Sequence, residues 1–186
     1  VSKRSADETR ALLIQTASRL IADSGIGRLT LDEVARRADV SKGGLLYHFP
    51  SKDALIEGLV RWLIAHFEAQ IAREIAADID ADARGRYTRA YLRASFRTEP
   101  GELELYTGFA AALDANPTLM TIVRGVGKDW RDHLLNDGIA PNVAAAAALA
   151  ADGLLFNDLT GITEADEAER AAVLATLIAW VNGARI

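Results

Sequence analysis

The sequence has no cysteine and only four prolines, twelve aromatic residues at 6 %, and three widely spaced histidines, His48, His66 and His133. Without cysteine, neither a disulfide framework nor thiolate chemistry is available. Scattered histidines without thiolates do not make a structural zinc site, so no metal or other cofactor is expected. No apolar run approaches the roughly 18 residues of a membrane span, so no membrane partner is expected. The opening VSKRSADETR is polar and lacks the apolar segment of a signal peptide. A cytoplasmic location is the expectation. Enzyme signatures are missing as well: there is no G-x-S-x-G, no P-loop, no G-x-G-x-x-G after a strand and no H-E-x-x-H. No catalytic residue is assigned.

What is present is apolar and helical. Half of the 186 residues are hydrophobic, enough for a real core, and the net charge is -5. That charge is uneven. Residues 1–52 carry nine Lys or Arg against six Asp or Glu, and residues 53–186 carry twelve against twenty. A mildly basic head on an acidic body permits nucleic-acid contact at one end, although so small an excess is equally compatible with chance. Seventeen arginines against four lysines, with abundant alanine, suit a GC-rich bacterial genome.

No segment alternates with period two, and the apolar spacing predicts an all-α fold of about nine helices. Ser5 and Glu8 form a capping box for the first, and Gly25 is expected to close it in the left-handed region. Thr30 and Glu33 form a second box before a short helix with Val34, Ala35 and Ala38 inward. Asp39 stands at a turn. Ser41 caps a third helix over about 42–48, Pro50 stops it, and Ser51 caps a long helix from Lys52 to about Asp78. Further helices are predicted over about 84–98, 101–115, 117–136, 142–160 and 164–182. The expected division is a helix-turn-helix domain over 1–50 and a helical body over 51–186.

Two short helices joined by about four residues under a preceding helix describe a helix-turn-helix, whose second helix enters the DNA major groove. On that reading the adjacent Gly43 and Gly44 let the backbone approach a sugar-phosphate wall or base edge. Lys42 and Lys52 flank the helix as phosphate neutralisers, and Tyr47 and His48 offer donors at its far end. The alternative is a glycine loop with an ordinary polar surface. Leu45 and Phe49 complete the apolar face and belong to the core.

The stretch LTLDEVARRADVSKGGLLYHFPSKDAL resembles the DNA-binding region of TetR-family transcriptional regulators, and the likeness runs from about Ala11 to Leu63. Two positions depart from the family pattern: Asp39 replaces the usual turn glycine, and Leu46 stands where tyrosine is common. The resemblance implies Thr30, Ser41, Lys42, Gly43, Gly44, Tyr47, His48 and Lys52 as DNA contacts. Arg28, Arg36 and Arg37 read either as extra phosphate contacts or as a solvated face. For the body it implies an unknown small-molecule effector and a homodimer. Pocket candidates are Trp62, His66, Tyr91, Phe96, Tyr106, Phe109, Trp130, His133, Asp152 and Phe156, each of the aromatic ones being also compatible with plain core. Asp152 and Asn157 are polar in an apolar helix and need a partner if buried. Dimer candidates are Leu155, Leu159, Leu174, Leu177, Ile178 and Val181. The function expected is a ligand-responsive DNA-binding regulator, a repressor by preference, on a near-palindromic double-stranded operator. A helical small-molecule or partner-binding protein without operator function is the alternative, and a small enzyme whose site forms only in three dimensions is a third.

Overall fold

Ser5 opens the first helix by the predicted box: its hydroxyl accepts from Glu8 N at 3.1 Å while the Glu8 carboxylate accepts from Ser5 N at 2.7 Å. In the computed structural model this helix, α1, runs Ala6–Ser24. It is followed by α2 (Leu31–Arg37), α3 (Lys42–His48), α4 (Lys52–Ala77), α5 (Arg86–Ser95), α6 (Pro117–Leu135), α7 (Pro141–Thr160) and α8 (Glu167–Val181). The structure describes residues 4–79, 84–97, 103, 105, 106, 109, 113, 116–163 and 165–183. Among them there is no strand, as the missing period-two pattern required. The helix expected over 101–115 lies largely outside the described residues; Leu103, Leu105, Tyr106, Phe109 and Leu113 within it are helical.

Three details differ from the sequence reading. Gly25 has a positive φ of 77°, but its ψ of 159° is extended, and a single 3₁₀ turn, Ile26–Arg28, follows it. Thr30 accepts from Glu33 N at 3.2 Å. The Glu33 carboxylate is held by two arginines rather than by a return bond to Thr30. The absence of a membrane-length helix is corrected: Pro141–Thr160 is long and apolar enough to cross a membrane by length and composition. Asp152, Asn157 and Asp158 interrupt its apolar run, which a search for unbroken apolar stretches therefore passes over.

The chain divides into two compact units, 1–64 with 99–121, and 65–98 with 122–186. In the first, α1 packs on α2 and α2 on α3. Its buried set includes Leu13, Ala17, Leu20, Leu29, Val34, Leu45, Phe49, Leu55 and Leu59. Leu45 and Phe49 are therefore core, as expected.

In the second unit α5 packs on α7 and α8. Helix α5 has no cap of its own, because Gly85 occupies the N-cap position. Asp137 supplies one from a distant part of the chain: its carboxylate accepts from Tyr87 N at 3.2 Å, Thr88 N at 2.7 Å and the Thr88 hydroxyl at 2.8 Å. Its carbonyl accepts from Gly85 N at 2.8 Å. One turn on, Arg89 is buried and its Nε donates to Asp78 at 2.9 Å, a pair in which both side chains are 3 % exposed. Nη1 of Arg89 donates to Arg84 O and to Asn182 Oδ1, tying α5 to the end of α8. A buried pair of this kind adds little net stability, but breaking one side leaves an uncompensated charge.

Gly85 makes this corner possible. Its φ is +81°, and a Cβ there would stand 2.5 Å from Val181 Cγ1 and 3.1 Å from Ile139 Cγ2. Left-handed backbone costs a non-glycine residue roughly 1–2 kcal/mol, and overpacking a filled site adds about 1–3 kcal/mol. Gly85→Ala is expected to lower the unfolding free energy by about 2–5 kcal/mol in urea denaturation. A change below about 0.5 kcal/mol would show that the corner is not a fixed point of the unit.

Candidate nucleic-acid interface

Asp39 is the only described non-glycine residue with positive φ, at 51°. Its short side chain tolerates the left-handed region, so the turn forms without glycine. The chain then enters α3 through Ser41, whose hydroxyl accepts from Gly44 N at 3.1 Å. Helix α3 has only seven residues. Leu45 and Phe49 turn into the core, and Lys42, Gly43, Leu46 and Tyr47 face solvent. These four positions, spaced i, i+1, i+4 and i+5, form one outward stripe.

The glycines of this region have different physical causes. At Gly58, inside α4, a Cβ would meet Phe49 Cε1 at 2.7 Å. That glycine makes room for a ring that is 2 % exposed and lies under the Arg10 guanidinium at 5.1 Å. At Gly44 a Cβ would crowd Val40 Cγ1 at 3.1 Å and Ser41 Oγ at 3.2 Å, a partial internal reason. At Gly43 a Cβ would meet nothing within 4 Å, and the backbone is ordinary helix. Neither dihedral nor packing within the chain calls for glycine there. A helical glycine costs roughly 0.5–1 kcal/mol relative to alanine.

The polar groups around α3 are already engaged within the chain. Lys42 Nζ lies 2.8 Å from Asp32 Oδ1, with both side chains well exposed. Lys52 Nζ donates to Ile26 O at 3.4 Å. Arg36 donates twice to Glu33, at 2.8 and 2.6 Å, and Arg37 bridges Glu33 at 3.0 Å and Asp23 at 2.9 Å. These bonds, the Arg36 pair first, pull the Glu33 carboxyl down to about 2. So Arg36 and Arg37 form a balanced surface network with two carboxylates. Thr30, Ser41, Lys42, Gly43 and Tyr47 are exposed, with Tyr47 80 % exposed, whereas His48 and Lys52 are half-buried. Tyr47 and His48 meet edge to face at 5.1 Å. Arg28 is exposed at the end of the 3₁₀ turn.

The expected pocket residues fall in both units: Trp62, Tyr106 and Phe109 in the first, the others in the second. A groove of about 770 Å³ in the second unit is lined by Glu68, Ile71, Ala72 and Ile75 of α4, Tyr87 of α5, and Asp129, Trp130, Asp132, His133, Asn136 and Asp137. Of the ten candidates only Trp130 and His133 line it. Tyr87 stacks on His133 at 5.1 Å, and Glu68 accepts from Trp130 Nε1 at 3.4 Å. Burial, then the charges of Glu68 and Asp137, pushes the Tyr87 phenol up to about 12. Tyr91 is core, with its ring edge-on to Phe67 and its hydroxyl 3.5 Å from Asp152. His66 lies 3.2 Å from Gln70. Trp62, Phe96, Tyr106 and Phe109 are half-buried, and Asp152 and Phe156 are exposed. Tyr87, Glu68 and the aspartates were missed because helical spacing marks aromatic residues as core and treats an acidic break such as NDG as a loop.

The dimer candidates also separate. Leu177 and Val181 are 4 % exposed and belong to the chain's own core. Leu155 is exposed, and Leu159, Leu174 and Ile178 are half-buried. Leu149 and Phe156, two turns apart on α7, are 68 % and 58 % exposed, and Val173 of α8 is 41 % exposed.

Two family models match this chain. Residues 13–59 match the family model described as bacterial regulatory proteins, tetR family, and residues 85–182 match the one described as tetracyclin repressor-like, C-terminal domain. The HTH-type transcriptional regulator TtgR of Pseudomonas putida is 37 % identical over 59 residues, which is 32 % of this chain and 28 % of that protein. The chain thus spans well under a third of that relative's length. The HTH-type transcriptional regulator EthR of Mycolicibacterium smegmatis is 26 % identical, covering 97 % of this chain and 88 % of that protein. Among solved structures, a TetR-family member from Streptomyces coelicolor superposes with a TM-score of 0.68 at 26 % identity, over 91 % of this chain and 98 % of that one. The multidrug binding protein EbrR, solved with ethidium, superposes with a TM-score of 0.67 at 26 % identity, over 91 % and 98 %.

Gly43 and Gly58 are separable by stability. Gly43→Ala is expected to raise the unfolding free energy by about 0.5–1 kcal/mol. Gly58→Ala is expected to lower it by about 1–2 kcal/mol, overpacking outweighing the helix gain. Equal effects of the two in urea denaturation would contradict the assignment of causes.

Proposed function

The chain belongs to the TetR family of bacterial regulatory proteins, and on that premise we propose that it is a cytoplasmic, ligand-responsive repressor that binds a near-palindromic operator as a homodimer. The functional division retained is a DNA-binding domain over 1–50 and an effector and dimerisation body over 51–186. The observation that carries this reading is Gly43: an outward helical glycine with no cause inside the chain. An external surface that must come close to the backbone supplies the cause, and a duplex wall is such a surface.

Helix α3 lies in the major groove, with Ser41, Lys42, Gly43 and Gly44 facing the groove. Thr30, Tyr47, His48 and Lys52 hold the phosphates, which sets register rather than sequence. Lys42 exchanges Asp32 for a phosphate. The exchange is cheap, because an exposed pair contributes about 0–1 kcal/mol. Arg36 and Arg37 are left out of the contact set, since Glu33 and Asp23 already neutralise them.

The groove in the second unit is the proposed effector site. Its volume lies within the ~300–1,000 Å³ of small-molecule sites. Four carboxylates, three rings and no Lys or Arg line it, which favours a neutral or cationic organic molecule over an anion. Effector control requires different affinities for two states of the protein. The second subunit is proposed to cover the outward apolar face of α7 and α8. Only 17 % of the apolar window of α7 is buried in the single chain, and a two-fold partner that presents the same face completes the burial.

Fluorescence anisotropy with the promoter duplex upstream of its own gene tests the reading. Two protomers per site are expected, with affinity falling steeply as salt rises. Lys42→Ala combined with Tyr47→Phe should cost at least about tenfold and flatten the salt dependence. A double variant that binds as tightly as wild type would remove α3 from the interface.

A further inference from the structure

We propose that Gly43 and Leu46 form a thymine-reading notch on α3, in which the Leu46 side chain contacts the C5-methyl group of one thymine in each operator half-site. The inference rests on the operator-binding reading above and adds a base identity to it.

The outward stripe of α3 contains two polar tips and an apolar middle. Lys42 is drawn toward α2 by Asp32 at 2.8 Å. Tyr47 projects at the other end, 80 % exposed, and packs edge-on to His48. Between them lie Gly43, with open space where a Cβ would be, and Leu46, 37 % exposed. Gly43 and Leu46 are three residues apart and therefore adjacent on one helix face. The result is a bare backbone step beside a branched aliphatic tip that carries no donor or acceptor.

Base edges in the major groove are patterned almost wholly by hydrogen-bond donors and acceptors, and the C5-methyl of thymine is the apolar exception. An aliphatic tip pressed against any donor or acceptor would leave it unpaired, at a cost. Against a methyl it gains burial instead. The missing Cβ at Gly43 gives the helix room to approach until that contact closes. A side chain at position 43 would hold the stripe away from the groove floor, which explains why the two features occur together.

The test begins with duplexes enriched from a random-sequence pool by the wild-type chain. A thymine fixed in each half-site is expected. Replacing it with deoxyuridine, which removes only the methyl, should weaken binding about threefold to fivefold per half-site, the loss of one buried methyl. Leu46→Ala should bind the thymine and deoxyuridine duplexes equally, and Leu46→Met, which keeps an apolar tip, should restore the preference. Because Leu46 is partly exposed, circular dichroism should report folded chains for both variants. Enriched duplexes on which the wild-type chain ignores every thymine-to-deoxyuridine exchange would overturn the notch and leave the regulator reading standing. No enrichment of any sequence would overturn that reading, and the notch with it.

Discussion

Phe49 seats its ring against the backbone of Gly58, under the guanidinium of Arg10, and this contact anchors a helix of seven residues. Isolated helices of that length are not stable in water, because nucleation costs more than so few hydrogen bonds return. Helix α3 exists because Leu45 and Phe49 bury its inner face and Ser41 caps its start. Once the inner face is pinned, the outer residues are free of structural duty. Position 43 can then hold the poorest non-proline helix former, at a cost the core absorbs. The outward stripe of Lys42, Gly43, Leu46 and Tyr47 is a consequence of the wedge behind it.

The second unit obeys a similar logic with a polar anchor. Helix α5 starts on a glycine that cannot cap it, and Asp137 caps it from about fifty residues away. Gly85 then lets Val181 approach, and Arg89 reaches Asp78 and Asn182 from the same turn. The end of α4, the start of α5 and the end of α8 are fixed to one another at this corner. The groove between α4, Tyr87 and the end of α6 borders it, so Asp137 serves both as a structural cap and as part of the groove wall.

Much of the first unit was legible in the sequence, because its signals are local. Ser5, Thr30, Ser41 and Ser51 are caps within reach of their own helices. Leu45 and Phe49 follow from apolar spacing, and Asp39 from turn chemistry. Arg36 and Arg37 could be read either way until their partners Glu33 and Asp23 were placed. What spacing could not supply is any contact made across the chain. The fit of Gly58 to Phe49, the Asp137 cap and the Asp78–Arg89 pair each join residues that no local pattern links. The same limit explains the body. Leu177 and Val181 look like interface leucine and valine in one dimension, but α5 covers them. Tyr87 and Asp137 look like core and loop, but they face a groove.

Gly43 is the residue on which the functional reading turns, because alanine there is expected to stabilise the free protein and to harm only a partner that must come close. Titration of wild-type and Gly43→Ala chains against the same operator duplex, at matched salt, measures this directly. A loss of about tenfold or more in affinity by the alanine chain, with folded stability unchanged or higher, is the expected result. Equal or tighter binding by Gly43→Ala would contradict it, and would mean that the open space at position 43 is not occupied by DNA.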